Sequence, residues 1–286
     1  MKSWFDKHTK RLDGKTVAVT GSTGGLGMEL CDYLASLGAS LVLVDRNREK
    51  SEALAERLKG KYPSLAVKFV TADMADMASV KAAGEELCSI GIDHLILNAG
   101  AYSIPRCITD IGYDNVFTIN FISPYYLTRR LLPSVRARGG RVVAVGSIAH
   151  NYSEIDLSDI DFRRRKKASL VYGNAKRYLT FALQKLSDGD VIIAHPGISF
   201  TGITNHYPPL IFALIKHPMK VIFMKPRRAV LSILYGLFAN VPSGSWIGPR
   251  LFDVWGLPRV KKLCTAGSKE KGNIIKSAEK IYEKIK

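Results

Sequence analysis

Cysteine is scarce in this chain. Cys31, Cys88, Cys107 and Cys264, four among 286 residues, lie far apart with no Cys-x-x-Cys spacing. That pattern offers neither a disulfide framework nor a metal site, and it fits a reducing, cytosolic setting. Long apolar runs are missing too. The most apolar late stretches, 210–215 and 230–241, are too short or too interrupted to span a bilayer. The N-terminal MKSWFDKHTKRLDGK is charged throughout and has no apolar core, so no signal peptide is expected. Acidic side chains are few against basic ones, 25 to 42, which gives a formal charge of +17. Such a charge suits an anionic lipid surface, nucleic acid, an anionic substrate or a plain basic surface. No aromatic-interleaved basic helix or nucleic-acid motif accompanies it, so charge alone speaks for a nucleic-acid partner.

Apolar residues make up 47% of the chain, enough to bury a large core. Short apolar, β-branched runs are expected as strands at 16–20, 40–44, 66–70, 94–97, 141–145 and 191–194. Helical periodicity is read over 28–37, 48–58, 77–90, 117–136, 168–186 and 226–240. The strands are continuous apolar runs rather than alternating ones, as in a parallel sheet covered on both faces. The expected fold is therefore α/β, a doubly wound parallel sheet forming one domain over 1–286. Ligands are expected beyond the carboxyl ends of its strands. After Gly197 the alternation stops. An apolar, aromatic segment at 198–225 is expected to roof the site as a substrate lid. A tail helix over 273–285 sets Ile274, Ile275, Ala278, Ile281, Tyr282 and Ile285 on one stripe, opposite lysines.

Gly21, Gly25 and Gly27 fall between the first strand and its helix. Glycines there let the backbone turn tightly and approach a phosphate, with the helix start favouring an anion. Further along stand LNAG at 97–100, Asn120 in FTINFISPYYLT, Ser147 in VGSIAH, Tyr172 and Lys176 in VYGNAKRYLT, and His195-Pro196-Gly197. Six short motifs in this order resemble the short-chain dehydrogenase/reductase family over about 12–260.

The resemblance implies a Rossmann fold, an NAD(P)(H) cofactor and the catalytic set Asn120, Ser147, Tyr172 and Lys176. It implies cofactor contacts from Gly21, Ser22, Thr23, Gly25, Leu26, Gly27, Asp45, Arg46, Asp73, Met74, Asn98, Ala99 and Gly100. Tyr172, Lys176, Pro196, Gly197, Ile198 and Thr201 complete that set. Ser147, His150, Tyr172 and Tyr207 are the expected substrate contacts, and no metal is expected. Relatives are often dimers or tetramers built on the two long helices around Asn120 and Tyr172, so a homo-oligomer is part of what the resemblance implies.

The chemistry explains why these residue types are needed. A hydride moved to a carbonyl creates an alkoxide, and something must deliver a proton. A free tyrosine, with a pKa of about 10, is poorly matched to that task at neutral pH. A lysine ammonium roughly 5 Å away would favour tyrosinate by about 3 kcal/mol at an effective dielectric near 20, or roughly 2 pK units. Tyr172 is thus expected near its working range. VGSIAH is not a Gly-x-Ser-x-Gly elbow, so a serine hydrolase does not fit.

Asp45 ends the second strand, where an acidic residue accepts from the adenosine ribose and repels a 2′-phosphate. Arg46 and Arg48 argue the other way. Asp45 usually dominates in this family, so the expected cofactor is NAD(H).

The insertion between Ser147 and Tyr172, together with IGPRLFDVWGLPR and the tail helix, resembles the retinol dehydrogenase-like branch. That implies a lipophilic alcohol or carbonyl such as a steroid, bile acid or retinoid. The basic run RRRKK at 163–167 and Lys216, Lys220, Lys225, Arg227 and Arg228 fit peripheral docking on an anionic membrane. An anionic substrate or a solvated face fits them as well. The rival to an enzyme is a non-catalytic dinucleotide-sensing protein, but such proteins usually lose the tyrosine, lysine or serine, and all are present here.

Overall fold

The computed structural model describes residues 2–186, 190–198, 224–263 and 265–286. Eight strands form one sheet: β1 Thr16–Thr20, β2 Ser40–Asp45, β3 Val67–Thr71, β4 His94–Leu97, β5 Arg141–Val145, β6 Val191–Ala194, β7 Trp246–Leu251 and β8 Trp255–Lys261. Their spatial order is β3-β2-β1-β4-β5-β6-β7-β8. All neighbours run parallel except β7 and β8, which are antiparallel. The chain leaves β1 for β2 on one side, and later returns to the other side of β1 with β4. The β1/β4 gap is thus the point where strand order reverses, and a cleft opens there at the carboxyl ends of the strands.

The helices are α1 Lys2–His8, α2 Gly25–Ser36, α3 Arg48–Lys61, α4 Met77–Ile90, α5 Asn115–Phe117, α6 Ser123–Ala137, α7 Ala168–Gln184, α8 Pro226–Ala229, α9 Leu231–Phe238 and α10 Ser268–Ile285. Local chemistry sets several of their starts. The Asn47 side chain accepts from Lys50 N at the head of α3, and Asp76 accepts from Ala78 N and Ser79 N at the head of α4. Gly91, left-handed at φ 72°, ends α4. Helices cover both faces of the sheet and give two apolar clusters. One joins α4, α6, α7 and α10 to the sheet, and the other joins α2, α3 and α9 to its opposite face.

Four expectations change. The long helix expected at 117–136 is α5 and α6 joined by a π turn, Thr118–Ile122, which contains Asn120. A π turn widens the helix by one residue and changes the direction of that side chain. The helix expected at 226–240 is two shorter ones, α8 and α9, that meet at Val230. β7 and β8 form a hairpin that the sequence reading lacks. Pro249 and Pro258 face each other across this hairpin, where a missing N–H makes alternation hard to read. The tail helix α10 starts earlier than expected. Its stripe of Ile274, Ala278, Ile281 and Ile285 is buried against the domain.

Candidate active site

The glycine loop is the first wall of the cleft. Gly21 takes φ +64°, and a Cβ there would lie 2.8 Å from Ala99 Cα. A Cβ on Gly27 would come within 2.2 Å of the Gly21 carbonyl, so α2 can start this close to β1 only without a side chain. Gly24 precedes α2 and supplies no side-chain cap, which leaves first-turn N–H groups for a ligand. The neighbouring LNAG segment fixes the loop. Asn98 Nδ2 donates to the carbonyls of Thr20 (3.1 Å) and Gly21 (2.9 Å), and Ala99 N donates to Thr20 Oγ1 (3.0 Å).

Beside this loop lies a cavity of about 540 Å³ that reaches Asp45, Arg46, Asn47 and Lys50 on one side and Asp73 and Met74 on the other. A second cavity, about 270 Å³, is lined by Ser147, Tyr172, Lys176 and Pro196–Ile198. Leu26, Asn98, Gly100, Ala101 and Tyr102 border both, so the two form one continuous cleft. A dinucleotide fits this cleft: a glycine cradle and an open helix start for the phosphates in the larger part, and the Tyr172/Ser147 wall at its far end.

Tyr172 and Lys176 lie on one face of α7. Lys176 Nζ is 5.7 Å from the Tyr172 ring centroid and donates to the Val145 carbonyl at 2.8 Å. Burial pushes the Tyr172 phenol up to about 12, against a smaller downward pull from the Ser147 hydroxyl. Burial likewise brings the Lys176 ammonium down to about 8. This reverses the expectation that the lysine alone would lower the tyrosine. Both groups are dry in the cofactor-free protein, and desolvation sets the direction for each. Ser147 opens the 3₁₀ turn Ile148–Asn151, and its Oγ accepts from Ala149 N. Asn120 is fully buried. Its Nδ2 donates to the carbonyls of Ala101 (2.7 Å) and Val116 (2.8 Å), and its Oδ1 accepts from Ala101 N (3.3 Å). It thereby ties the π turn to the strand-end loop that carries Gly100.

Asp45 is buried, and its carboxylate is already engaged. It accepts from the hydroxyls of Ser22, Thr23 and Ser51 and from Thr23 N. Asp73 lines the cleft and accepts from Ala75 N, while the cap of α4 is Asp76.

His150 departs from its expected place in the substrate pocket. Its ring is buried between Trp246 (4.9 Å between centroids) and Phe181 (5.9 Å). Nδ1 lies 2.6 Å from the Ser147 carbonyl and Nε2 lies 3.1 Å from Thr265 Oγ1. A carbonyl only accepts, so Nδ1 carries the proton and Nε2 receives one from Thr265. The 3₁₀ turn after Ser147 points this ring into the core. Thr201 and Tyr207 fall outside the described residues, as do Lys216, Lys220 and nearly all of the expected lid. Its two ends are adjacent, with Met224 N donating to the Ile198 carbonyl at 2.9 Å.

Three wall or support residues were given no role in the sequence reading. Tyr102 stands edge-on to Tyr172 with centroids 5.3 Å apart. His195 lines the cleft from the end of β6, where burial brings its imidazole down to about 4. Arg177, next to Lys176, is buried; it donates to the carbonyls of His150 and Thr265 and clamps Glu270 of α10 with two bonds of 2.6 and 2.7 Å. In sequence the available signal for Arg177 was its place beside Lys176.

The basic run at 163–167 is exposed but partly neutralised. Arg163 pairs with Asp161 and Arg165 with Asp156. Arg227 bonds Glu29 and Asp32. Among the described residues no helix is long and apolar enough to cross a membrane, and no metal-binding cluster occurs.

Comparison with known proteins decides the family. The model for short chain dehydrogenases matches residues 15–158, half of the chain. The chain belongs to the short chain dehydrogenase family. Family membership makes it an oxidoreductase of the nicotinamide dinucleotide type. It is 29% identical to mouse polyprenol dehydrogenase over 252 residues, which is 83% of this chain and 75% of that protein. It is 31% identical to human retinol dehydrogenase 13 over 208 residues, 68% of this chain and 62% of that protein. The resemblance to the retinol dehydrogenase-like branch thus holds for this family member. Its fold is shared with an uncharacterised protein from Mycobacterium paratuberculosis, with a TM-score of 0.79, 24% identity, and coverage of 98% of this chain and 97% of that one.

Proposed function

We propose that this protein interconverts a lipophilic alcohol and its carbonyl, with Tyr172 as proton donor and acceptor. The observation that carries this reading is the meeting of Tyr172, Ser147 and Lys176 on one wall, at the end of a cleft whose other end is the glycine loop. Bound there, a nicotinamide dinucleotide supplies or takes the hydride. The protein's own residues do the rest. Ser147 positions the substrate oxygen and donates to it. Tyr172, protonated at neutral pH in the cofactor-free protein, gives its phenolic proton to that oxygen in reduction. Lys176 supplies positive charge beneath the phenol once a ligand draws Nζ from the Val145 carbonyl. Asn120 holds the backbone at Gly100 and Ala101 that forms the cleft floor.

A lipophilic substrate is supported by Tyr102, Ile148, Ala149, Tyr152 and Ile198 around Tyr172, and by the names of the polyprenol and retinol dehydrogenases above. The test is nicotinamide absorbance at about 340 nm with retinal, steroid ketones, bile-acid ketones, long-chain enals and small aldehydes. Turnover of a lipophilic member is expected, with Tyr172→Phe lowering it by at least about a hundredfold while cofactor still binds. A Tyr172→Phe protein of near-normal turnover overturns the assignment. Tight cofactor binding without turnover in the wild type favours a dinucleotide sensor instead.

The cofactor reading moves from NAD(H) to NADP(H). A carboxylate offers about four acceptor sites. Asp45 has three protein donors on it and a fourth, the Ser51 hydroxyl, shared with the Asn47 carbonyl, so little remains for ribose hydroxyls. Arg46 and Lys50, both exposed, stand at the same end of the cleft and suit a 2′-phosphate.

A further inference from the structure

The turn between β7 and β8 presents apolar side chains to water. Phe252 is 91% exposed, Leu251 50% and Trp255 39%. Val254 N bonds back to the Leu251 carbonyl, and the two central residues, Phe252 and Asp253, have φ of +52° and +59°. Two successive positive φ values make this a type I′ turn, which asparagine and glycine fill without strain. Phenylalanine in that conformation is disfavoured, and here its ring gains nothing by packing. A strained backbone that holds an aromatic out in solvent points to a role in binding.

The surroundings define the partner. Asp253 is the turn's one carboxylate, and it is bound inward by Lys261 Nζ (3.0 Å) and Trp246 Nε1 (3.3 Å). Around the turn stand three arginines. Arg228 stacks 4.2 Å over Trp255, and Arg250 and Arg259 are exposed. Among the described residues none of the three has an ion-pair partner, unlike Arg163, Arg165 and Arg227. Aromatic rings ringed by free cations match the headgroup region of an anionic bilayer. A second copy of the chain fits less well. Scaled by their exposed fractions, three side chains of roughly 150–250 Å² each offer about 540–900 Å² for two copies together, short of the roughly 1,000 Å² of a stable interface. Pro258 and Arg259 on β8 also oppose strand pairing at this sheet edge.

The turn is joined to the cleft. The Val254 carbonyl accepts from Ile198 N at 3.4 Å, and Ile198 lines the cleft beside Tyr172. We infer that the β7–β8 turn docks this enzyme on anionic membrane, with Phe252, Leu251 and Trp255 entering the interface and Arg228, Arg250 and Arg259 meeting lipid phosphates. This deepens the lipophilic-substrate reading and rests on it for its purpose, since a substrate held in the bilayer would meet the cleft mouth.

The test is sedimentation of the full-length protein with sucrose-loaded vesicles of phosphatidylcholine, alone or with about 30% phosphatidylserine. Binding is expected to the anionic vesicles and to be weak on the neutral ones. Phe252→Ser is expected to lower the partition coefficient about tenfold, and the Arg250→Ser/Arg259→Ser pair by a similar factor. Ile108→Ser, which removes an apolar residue elsewhere that is about as exposed as Leu251 (53% against 50%), is expected to leave it unchanged. Unchanged melting of each variant shows that the fold is retained. Equal binding by Phe252→Ser and wild type overturns the inference, as does a wild type that binds neither vesicle. A turn variant that changes only the mass in light scattering overturns it in favour of self-association. Vesicle binding is read without turnover, so loss of the enzymatic reading and loss of docking are seen separately.

Discussion

Asp45 and Tyr172 are both plain in the sequence, and the structure changes what each does. Asp45 ends β2 as expected, yet its oxygens face inward to Ser22, Thr23 and Ser51. Those three hydroxyls are unremarkable in sequence, and only folding brings them to one carboxylate. The proposed preference for NADP(H) places that selection on Arg46 and Lys50. Tighter binding of 2′,5′-ADP than of 5′-AMP is expected by calorimetry. Arg46→Ala is expected to weaken 2′,5′-ADP about tenfold, as loss of one charge-assisted bond does, and to leave 5′-AMP within about twofold. Equal affinities for the two nucleotides in the wild type return the preference to NAD(H). For Tyr172 the lesson is similar. The spacing to Lys176 is legible, but the sign of the shift depends on how much water surrounds the pair.

At the scale of elements, α10 is the largest departure. In sequence it reads as an amphipathic tail over 273–285, its apolar stripe opposite lysines. In the structure that stripe is spent on α7 and the π turn, and two of its acidic residues meet arginines: Glu270 the buried Arg177, and Glu279 the partly exposed Arg129. Arg177 also holds the His150 carbonyl, and the His150 ring holds the Ser147 carbonyl. The tail helix is thereby linked to the wall that bears Ser147. Glu270→Gln leaves Arg177 buried with a weaker partner. Removing one member of a fully buried pair costs about 3–5 kcal/mol. Glu270 keeps its partner role at a half-covered position, so about 1–2 kcal/mol and a fall of roughly 5 °C in Tm are expected by calorimetry. A Tm equal to wild type would show that this link carries no stability.

For the molecule as a whole, buried bases tie stability to pH. The His195 imidazole falls from 6.5 to about 4 on folding, and the Lys176 ammonium from 10.5 to about 8. In both cases the unfolded chain binds the proton more readily, so stability rises with pH across each window. Urea midpoints are therefore expected to fall as pH drops from about 6.5 toward 4, and His195→Gln should flatten that fall. They should also rise between about pH 8 and 10.5. A wild-type profile flat from pH 7 to 4.5 contradicts the burial of His195.

The sequence by itself determined the parallel sheet, the glycine loop and the order of the family's motifs. Continuous apolar strands, a missing Cβ and a four-residue spacing are local properties, and they hold wherever the rest of the chain goes. The tertiary structure decided what depends on distant neighbours: the saturated Asp45, the His150 ring turned into the core, the arginine clamp on α10, and the aromatic turn beside the cleft. Hydrogen-bond saturation and desolvation are set by side chains far apart in sequence, 93 residues from Arg177 to Glu270 and 198 from Arg227 to Glu29. No local pattern records which of them will meet.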